Sequence, residues 1–253
     1  MTGDDHVLAR DLAGQAGQRL LELRAQGGDP DVLRKAGDRL SHEFLTAALA
    51  ALRPGDVVLS EEGADNPARL GARRVWIVDP LDGTREFGEP GRTDWAVHVA
   101  LWESDTQDLT AGAVALPAQD TVLSTLEPQP GPPGDAVSAP LRIVVSRSRP
   151  PSFVRDISGL INAELVPLGS AGAKVAAVVC GEVDAYVHGG GFYEWDTAAP
   201  VAVARAAGLH ASRIDGSALA YNQPDLLMPD ILVCRPAVAG TLLQAIREVT
   251  NAP

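Results

Sequence analysis

Apolar side chains recur at helical spacing over residues 6–26, where Val7, Leu8, Leu12, Leu20 and Leu23 are separated by Arg, Gln and Glu. That period predicts an amphipathic helix. A second helix is predicted over 31–51 from Leu33, Leu40, Phe44, Leu45 and Leu49, and Arg53-Pro54-Gly55-Asp56 ends it. The pattern then changes to short runs rich in β-branched residues. These predict strands at VVLS from 57, RVWIVD from 74, WAVHVALW from 95, LTAGAVAL from 109 and TVLSTL from 121.

The stretch EPQPGPPGDAVSAP, residues 127–140, has neither period and is crowded with Pro and Gly, so it reads as a surface connector. It divides the chain into two expected units, 1–130 and 138–253. Beyond it strands and helices alternate: LRIVVS, then helical PSFVRDISGLI, then AELVPLG, then helical SAGAKVAAVVCGE, then VDAYVH. The helix EWDTAAPVAVARAAG, the strand DILVCRP and the amphipathic helix AVAGTLLQAIREV complete the series. No internal repeat is present. An α/β fold is expected, with helices and sheets layered in two halves.

Composition narrows the function. With 45% apolar but only 4% aromatic residues, a core of Ala, Val and Leu is expected. A formal charge of −12 argues against polymeric nucleic acid, whose backbone demands clustered Lys and Arg. A small phosphorylated substrate stays compatible, provided that divalent cations stand between it and the carboxylates. Cys180 and Cys234 both lie in apolar runs, which predicts buried free thiols rather than a disulfide scaffold. The opening MTGDDHVLAR has no apolar leader core, and no apolar run is long enough to span a bilayer. No membrane association and a cytoplasmic location are the resulting expectations.

The candidate chemistry centres on RRVWIVDPLDGTREF, residues 73–87. Pro80 cannot donate to a sheet ladder, so the strand is expected to break there and to present Asp79, Asp82 and the Leu81 carbonyl at its edge. LSEEG brings Glu61 and Glu62 to the end of another strand, and YEWDTAAP brings Asp196 to the start of a helix. Taken singly, these are a turn, a solvated pair of acids and a helix cap. Taken together, carboxylates from several strand and helix ends form the oxygen set that a hard divalent cation requires. Aspartyl-phosphate chemistry of the D-x-D-G-T type is excluded, because Pro80 stands where its nucleophile would be. A metal-activated water is the better reading.

In SEEG (60–63), WIVDPLDGTREF (76–87) and EWDTAAP (194–200) the chain resembles the lithium-sensitive, Mg²⁺-dependent phosphatases of the inositol monophosphatase superfamily. DGTREF, SRSR from 146, GSAGAK from 169, EWDTAA and YNQPDLL from 221 are similar to its 3'(2'),5'-bisphosphate nucleotidase branch, the CysQ type. The resemblance implies an αβαβα five-layer sandwich. It also implies hydrolysis of the 3'-phosphate of adenosine 3',5'-bisphosphate (PAP), and of its sulfated form PAPS, in sulfate assimilation. Carried over, it gives Glu61, Asp79 and the Leu81 carbonyl to one Mg²⁺ and Asp79, Asp82 and Asp196 to a second, with a third ion sharing Glu61 and Li⁺ as inhibitor. Asp38 with Thr84 would orient and deprotonate the water, and the Gly83 and Thr84 amides would hold phosphate oxygens. Ser170, Lys174, His188 and Glu194 are implied as substrate contacts, although Ser170 also reads as a helix cap and Lys174 as a solvated lysine.

Two features depart from that family pattern. LRKAGD replaces the usual V-T-x-A-D stretch around Asp38, and His188 stands where the nucleotidase branch commonly has Arg. Inositol monophosphate and fructose 1,6-bisphosphate are therefore alternative substrates. A catalytically silent metal or phosphate sensor is an alternative of another class, opposed by the presence of every ligand and of Thr84. Whether two copies pair as a homodimer is left open.

Overall fold

The computed structural model describes residues 4–129 and 139–250; most of the expected connector, 130–138, lies outside the described residues. In chain order the elements are α1 (Asp5–Ala25), α2 (Pro30–Leu52), β1 (Val57–Ser60), β2 (Arg74–Asp82), α3 (Thr84–Gly88), β3 (Ala96–Glu103), β4 (Asp108–Leu116) and β5 (Thr121–Ser124). After the connector come β6 (Leu141–Ser146), α4 (Ser152–Ile161), β7 (Ala163–Leu168), α5 (Ala171–Val179), β8 (Ala185–His188), β9 (Phe192–Tyr193) and α6 (Glu194–Ala206). The chain continues through β10 (His210–Ser212), β11 (Leu227–Met228), β12 (Ile231–Cys234) and α7 (Pro236–Thr250).

Helix starts follow from local chemistry. Asp4 accepts from the His6 amide at 2.9 Å, and Asp29 accepts from the amides of Asp31 and Val32, with Pro30 at the first helical position. β1 to β5 form one sheet in that order, with β1 parallel to β2 and the other pairs antiparallel. The second sheet has the order β10-β12-β8-β6-β7, and β9 pairs with β11 as a small ribbon.

Three apolar clusters define five layers. Leu12, Leu20, Leu45 and Leu49 of α1 and α2 pack on one face of the first sheet, against Trp76, Val78, Val97 and Val99. The other face, with Val75, Ile77 and Ala100, shares a core with α5, α6 and the inner face of the second sheet (Val144, Tyr186, Val233). Val154 and Ile157 of α4 and Val238 and Leu242 of α7 cover the outer face of that sheet. The αβαβα sandwich is thus present, and its core is built largely from Ala, Val and Leu. Among the described residues no helix is long and apolar enough to cross a membrane.

Two expectations need correcting. β2 does not end at Asp79: it continues to Asp82 through an irregularity, with Asp79 opposite His98 and Asp82 opposite Ala96. Three residues advance on β2 while two advance on β3, so Pro80 sits in a bulge that needs no amide donor. Cys234 is buried, but Cys180 is exposed, because it is the residue that caps the C-terminal end of α5.

Candidate active site

The bulge in β2, the left-handed turn at Gly83 (φ 82°) and the first turn of α6 bring Asp82, Thr84 and Asp196 to one cavity of about 690 Å³, with Asp79 beside the two acids. Oxygen atoms of Asp79, Asp82 and Asp196 lie within 4.8 Å of one another. Each acid is fixed by a backbone amide. Leu81 N donates to Asp79 Oδ1 at 3.0 Å, Gly172 N to Asp82 Oδ2 at 2.6 Å, and Tyr193 N to Asp196 Oδ2 at 2.6 Å. Asp196 is thus not the N-cap of α6, which is Tyr193, but the third residue of the helix, reaching back to the N-cap amide while it also joins the cluster. Glu61 lies outside that three-acid group but is hydrogen-bonded to Asp79, side chain to side chain.

Crowding of carboxylates disturbs their titration. Burial, then the charges of Glu61 and Asp82, raise Asp79 well above the ordinary carboxylate range. Glu61 keeps an exposed side, yet loss of solvent around its carboxyl and the charge of Asp196 push it up to about 7. Burial and Asp82 push Asp196 up to about 6. Asp82 goes the other way: burial raises it, but His98, Lys174 and the Gly172 amide outweigh that effect. The three raised acids, Asp79, Glu61 and Asp196, hold protons that a divalent cation would displace. Their all-oxygen donor set, with no thiolate or imidazole among the clustered ligand atoms, suits a hard cation.

Beside the cluster, Thr84 Oγ1 lies 3.0 Å from the Leu81 carbonyl and 3.3 Å from Asp38 Oδ1 on α2. Its single proton serves one acceptor at a time. Half-buried Asp38 is pushed up to about 6 by burial and by Glu62, against the Thr84 contact. The Asp38–Thr84 pairing expected from the sequence is thus formed in space, 46 residues apart along the chain.

The expected substrate contacts divide. Gly83, Thr84, Ser170, Lys174 and His188 line the cavity. Ser170 is the N-cap of α5, its Oγ accepting from Ala173 N at 2.9 Å. Lys174 is buried, and its ammonium donates to the carbonyls of Gly169 and Ser170. His188 is pushed down to about 4 by burial, Lys174 and Arg149, so it is neutral near pH 7, and its Nδ1 accepts from Gly190 N at 3.2 Å. Glu194 is the exception. It is fully buried, and its two oxygens accept from Asn222 N and Gln223 N, each at 2.7 Å, so it holds a loop and is not among the residues that line the cavity. Residues two apart on a helix point about 200° from each other, so Glu194 and Asp196 cannot share a face.

Sequence reasoning missed His98. Buried on β3, its Nδ1 donates to the Trp195 carbonyl at 3.1 Å, and its Nε2 lies 3.2 Å from Asp82 Oδ2, out of line for a full hydrogen bond. It therefore spans the gap between β2 and the first turn of α6, where Asp82 and Asp196 stand. Gly172 makes room for it: a Cβ there would sit 2.2 Å from His98 Nε2. The signal was a lone polar residue inside the apolar run AVHVALW.

The profile of the inositol monophosphatase family matches residues 8–251, nearly the whole chain that carries this geometry. The chain belongs to the inositol monophosphatase family. Within it, the chain is 52% identical to a 3'-phosphoadenosine 5'-phosphate phosphatase of Mycobacterium leprae (strain TN), over 97% of this chain and 94% of that protein. It is 31% identical to the 3'(2'),5'-bisphosphate nucleotidase CysQ of Escherichia coli (strain K12), over 83% of this chain and 91% of that one. The solved structure of CysQ from Bacteroides thetaiotaomicron, a bacterial member of the family, superposes with a TM-score of 0.76 at 28% identity, covering 91% and 97% of the two chains. Family membership makes this chain a phosphatase, and the acid cluster with its Asp38–Thr84 neighbour is the part of the fold equipped for that chemistry.

Proposed function

We propose that this protein removes the 3'-phosphate of PAP to give AMP, and acts on PAPS in the same way, with Mg²⁺ as cofactor and Li⁺ as inhibitor. The observation that carries the reading is the convergence of Asp79, Asp82 and Asp196 beside the Asp38–Thr84 pair on one cavity. The names of the Mycobacterium leprae and Escherichia coli relatives support the choice of substrate.

Glu61, Asp79, Asp82, Asp196 and the Leu81 carbonyl would hold two ions, with a third sharing Glu61. When bound, the ions would supply electrophilic polarisation of the phosphate and a lowered pKa for water. The protein's own residues do the rest. Asp38, with a pKa of about 6, can take a proton near neutral pH, and Thr84 Oγ1 beside it can align a water and pass that proton on. The amides of Gly83 and Thr84, residues that line the cavity, would meet phosphate oxygens as they gain charge. The tethers of Asp79, Asp82 and Asp196 to backbone amides preorganise the site before substrate enters.

The test is phosphate release from PAP, inositol 1-phosphate and fructose 1,6-bisphosphate, each with Mg²⁺ and with EDTA. The expected outcome is Mg²⁺-dependent turnover with the highest kcat/KM on PAP, inhibited by low-millimolar Li⁺. A higher kcat/KM on either of the other substrates would overturn the substrate assignment.

A further inference from the structure

The residues described so far deal with one phosphate, the one that is cleaved. A bisphosphate brings a second dianion into the same cavity, and in a chain with 33 acids against 21 Lys and Arg it needs a cation of its own. The cations lining the cavity are Arg85, Arg149 and Lys174. Lys174 is committed to two backbone carbonyls. Arg85 follows Thr84 directly on α3, on the side where the reacting phosphate would sit. Arg149 comes from another wall, the loop between β6 and α4.

Arg149 differs from its neighbour two residues earlier. Arg147 is bound to Glu86 and Glu89 at 2.7 and 2.9 Å. Among the described residues no carboxylate pairs with the Arg149 guanidinium; its backbone amide alone is bonded, to Ser146 Oγ at 3.2 Å. The side chain is exposed, and the hydroxyl-bearing Ser148 and Ser152 line the cavity with it. On the facing strand end His188 is neutral and brings no charge of its own. An unpaired guanidinium lining the same cavity as Asp82 and Asp196 offers a forked, permanently charged site for a phosphate.

We infer that Arg149 recognises the second phosphate of the substrate, the one hydrolysis leaves in place, and so sets the preference for a bisphosphate over a monophosphate. This rests on the bisphosphate reading above. Arg149 makes no contact with the acid cluster and takes no part in bond cleavage. It is a specificity residue.

The experiment compares two substrates that share base, ribose and reacting phosphate: PAP and adenosine 3'-monophosphate. Steady-state kinetics are measured on the wild type, Arg149→Ala and Arg149→Lys, with circular dichroism to show that each variant is folded. The expected result is a wild-type preference for PAP that drops at least tenfold in Arg149→Ala, mainly through KM for PAP. Arg149→Lys restores part of it, because an ammonium keeps the charge and loses the fork. A folded Arg149→Ala whose PAP/monophosphate ratio of kcat/KM equals that of the wild type overturns the assignment while the phosphatase reading stands. An equal loss on both substrates overturns it too, because the role would then be general. A wild type with no preference for PAP over the monophosphate overturns the bisphosphate reading itself, and the inference with it.

Discussion

The two sides of the cavity are built differently. On the acid side four groups are tied to the backbone: Asp79 by Leu81 N, Asp82 by Gly172 N, Asp196 by Tyr193 N, and Thr84 by the Leu81 carbonyl. One of those ties joins the two halves of the chain, Gly172 lying 90 residues from Asp82; the other three are local, two or three residues long. On the other side Ser148 and Arg149 are exposed on a loop and Ser152 at the first position of α4. The contrast is physical. Groups proposed to hold cations and activate water would have to keep their geometry without substrate, and buried hydrogen bonds supply that constraint. Groups that read the rest of the substrate meet it at the surface, where a change of residue alters affinity and leaves the core intact.

If that contrast is right, the largest effect comes from the acid side. Asp82→Asn or Asp79→Asn should lower kcat by roughly a thousandfold, about 4 kcal/mol of transition-state stabilisation, with the fold retained by circular dichroism. Unchanged turnover would remove the metal assignment. Next come Asp38→Asn and Thr84→Ala, for which a loss of about a hundredfold in kcat is expected, the range for a positioned general base. Their Mg²⁺ concentration dependence should stay close to that of the wild type. If activity is instead recovered simply by raising Mg²⁺, the pair acts through the metal and not on water.

A stability comparison sharpens the same point. A methyl at residue 172 would lie 2.2 Å from His98 Nε2 and 2.9 Å from the Ala96 Cβ, both on β3 behind the acid side. Gly172→Ala should cost about 2 kcal/mol in urea unfolding, as overpacking does. Ser148→Ala, on the exposed loop, should stay within about 0.5 kcal/mol. Equal costs would mean that the acid side is no more rigid than the loop.

Much of the acid side was legible in the sequence, because its ligands sit in short local patterns where period and turn chemistry agree. VDPLDGT ends a strand and EWDTAAP starts a helix, and the structure brings both to one place. What was not legible depends on contacts between distant segments. His98 matters because β3 lies beside β2 and under α6, and Arg149 because its loop faces His188 across the cavity. Glu194 was misread for a local reason: its neighbour Asp196 is in the site, but a helix turns residues two apart to opposite sides. Pro80 was read as a strand break because a proline cannot donate, although a bulge accommodates it without a donor. The exposed Cys180 shows the same limit, since an apolar run says nothing about where a helix ends.

The smallest effect expected is also the one that tests the electrostatic account most directly. Glu61 is raised from 4.5 to about 7, and Asp196 and Asp38 from 3.8 to about 6. Between the ordinary and the raised values the folded protein binds more protons than the unfolded chain, so stability falls as pH rises. The contribution is full below about pH 4, shrinks through the window up to about pH 7, and is gone above it. Asp82, shifted downward, changes its contribution only below its ordinary value of 3.8, and His188, lowered from 6.5 to about 4, opposes the raised acids in the lower part of the window without matching their number. Metal-free protein in EDTA should therefore lose a few degrees of Tm, about 5 °C, between pH 5 and pH 8. Mg²⁺ binds the deprotonated carboxylates and the folded state alone, so it should add most stability at pH 8 and flatten or invert the trend. Asp79→Asn, which removes one charge from the crowd, should reduce both the fall in EDTA and the gain with Mg²⁺. The loop side has no such raised acids and Arg149 is only the smallest of three causes that lower His188, so Arg149→Ala should change the pH slope far less than Asp79→Asn does. A slope that is flat in EDTA, or one that Arg149→Ala changes as much as Asp79→Asn does, would mean that the strain of like charges is not concentrated on the acid side.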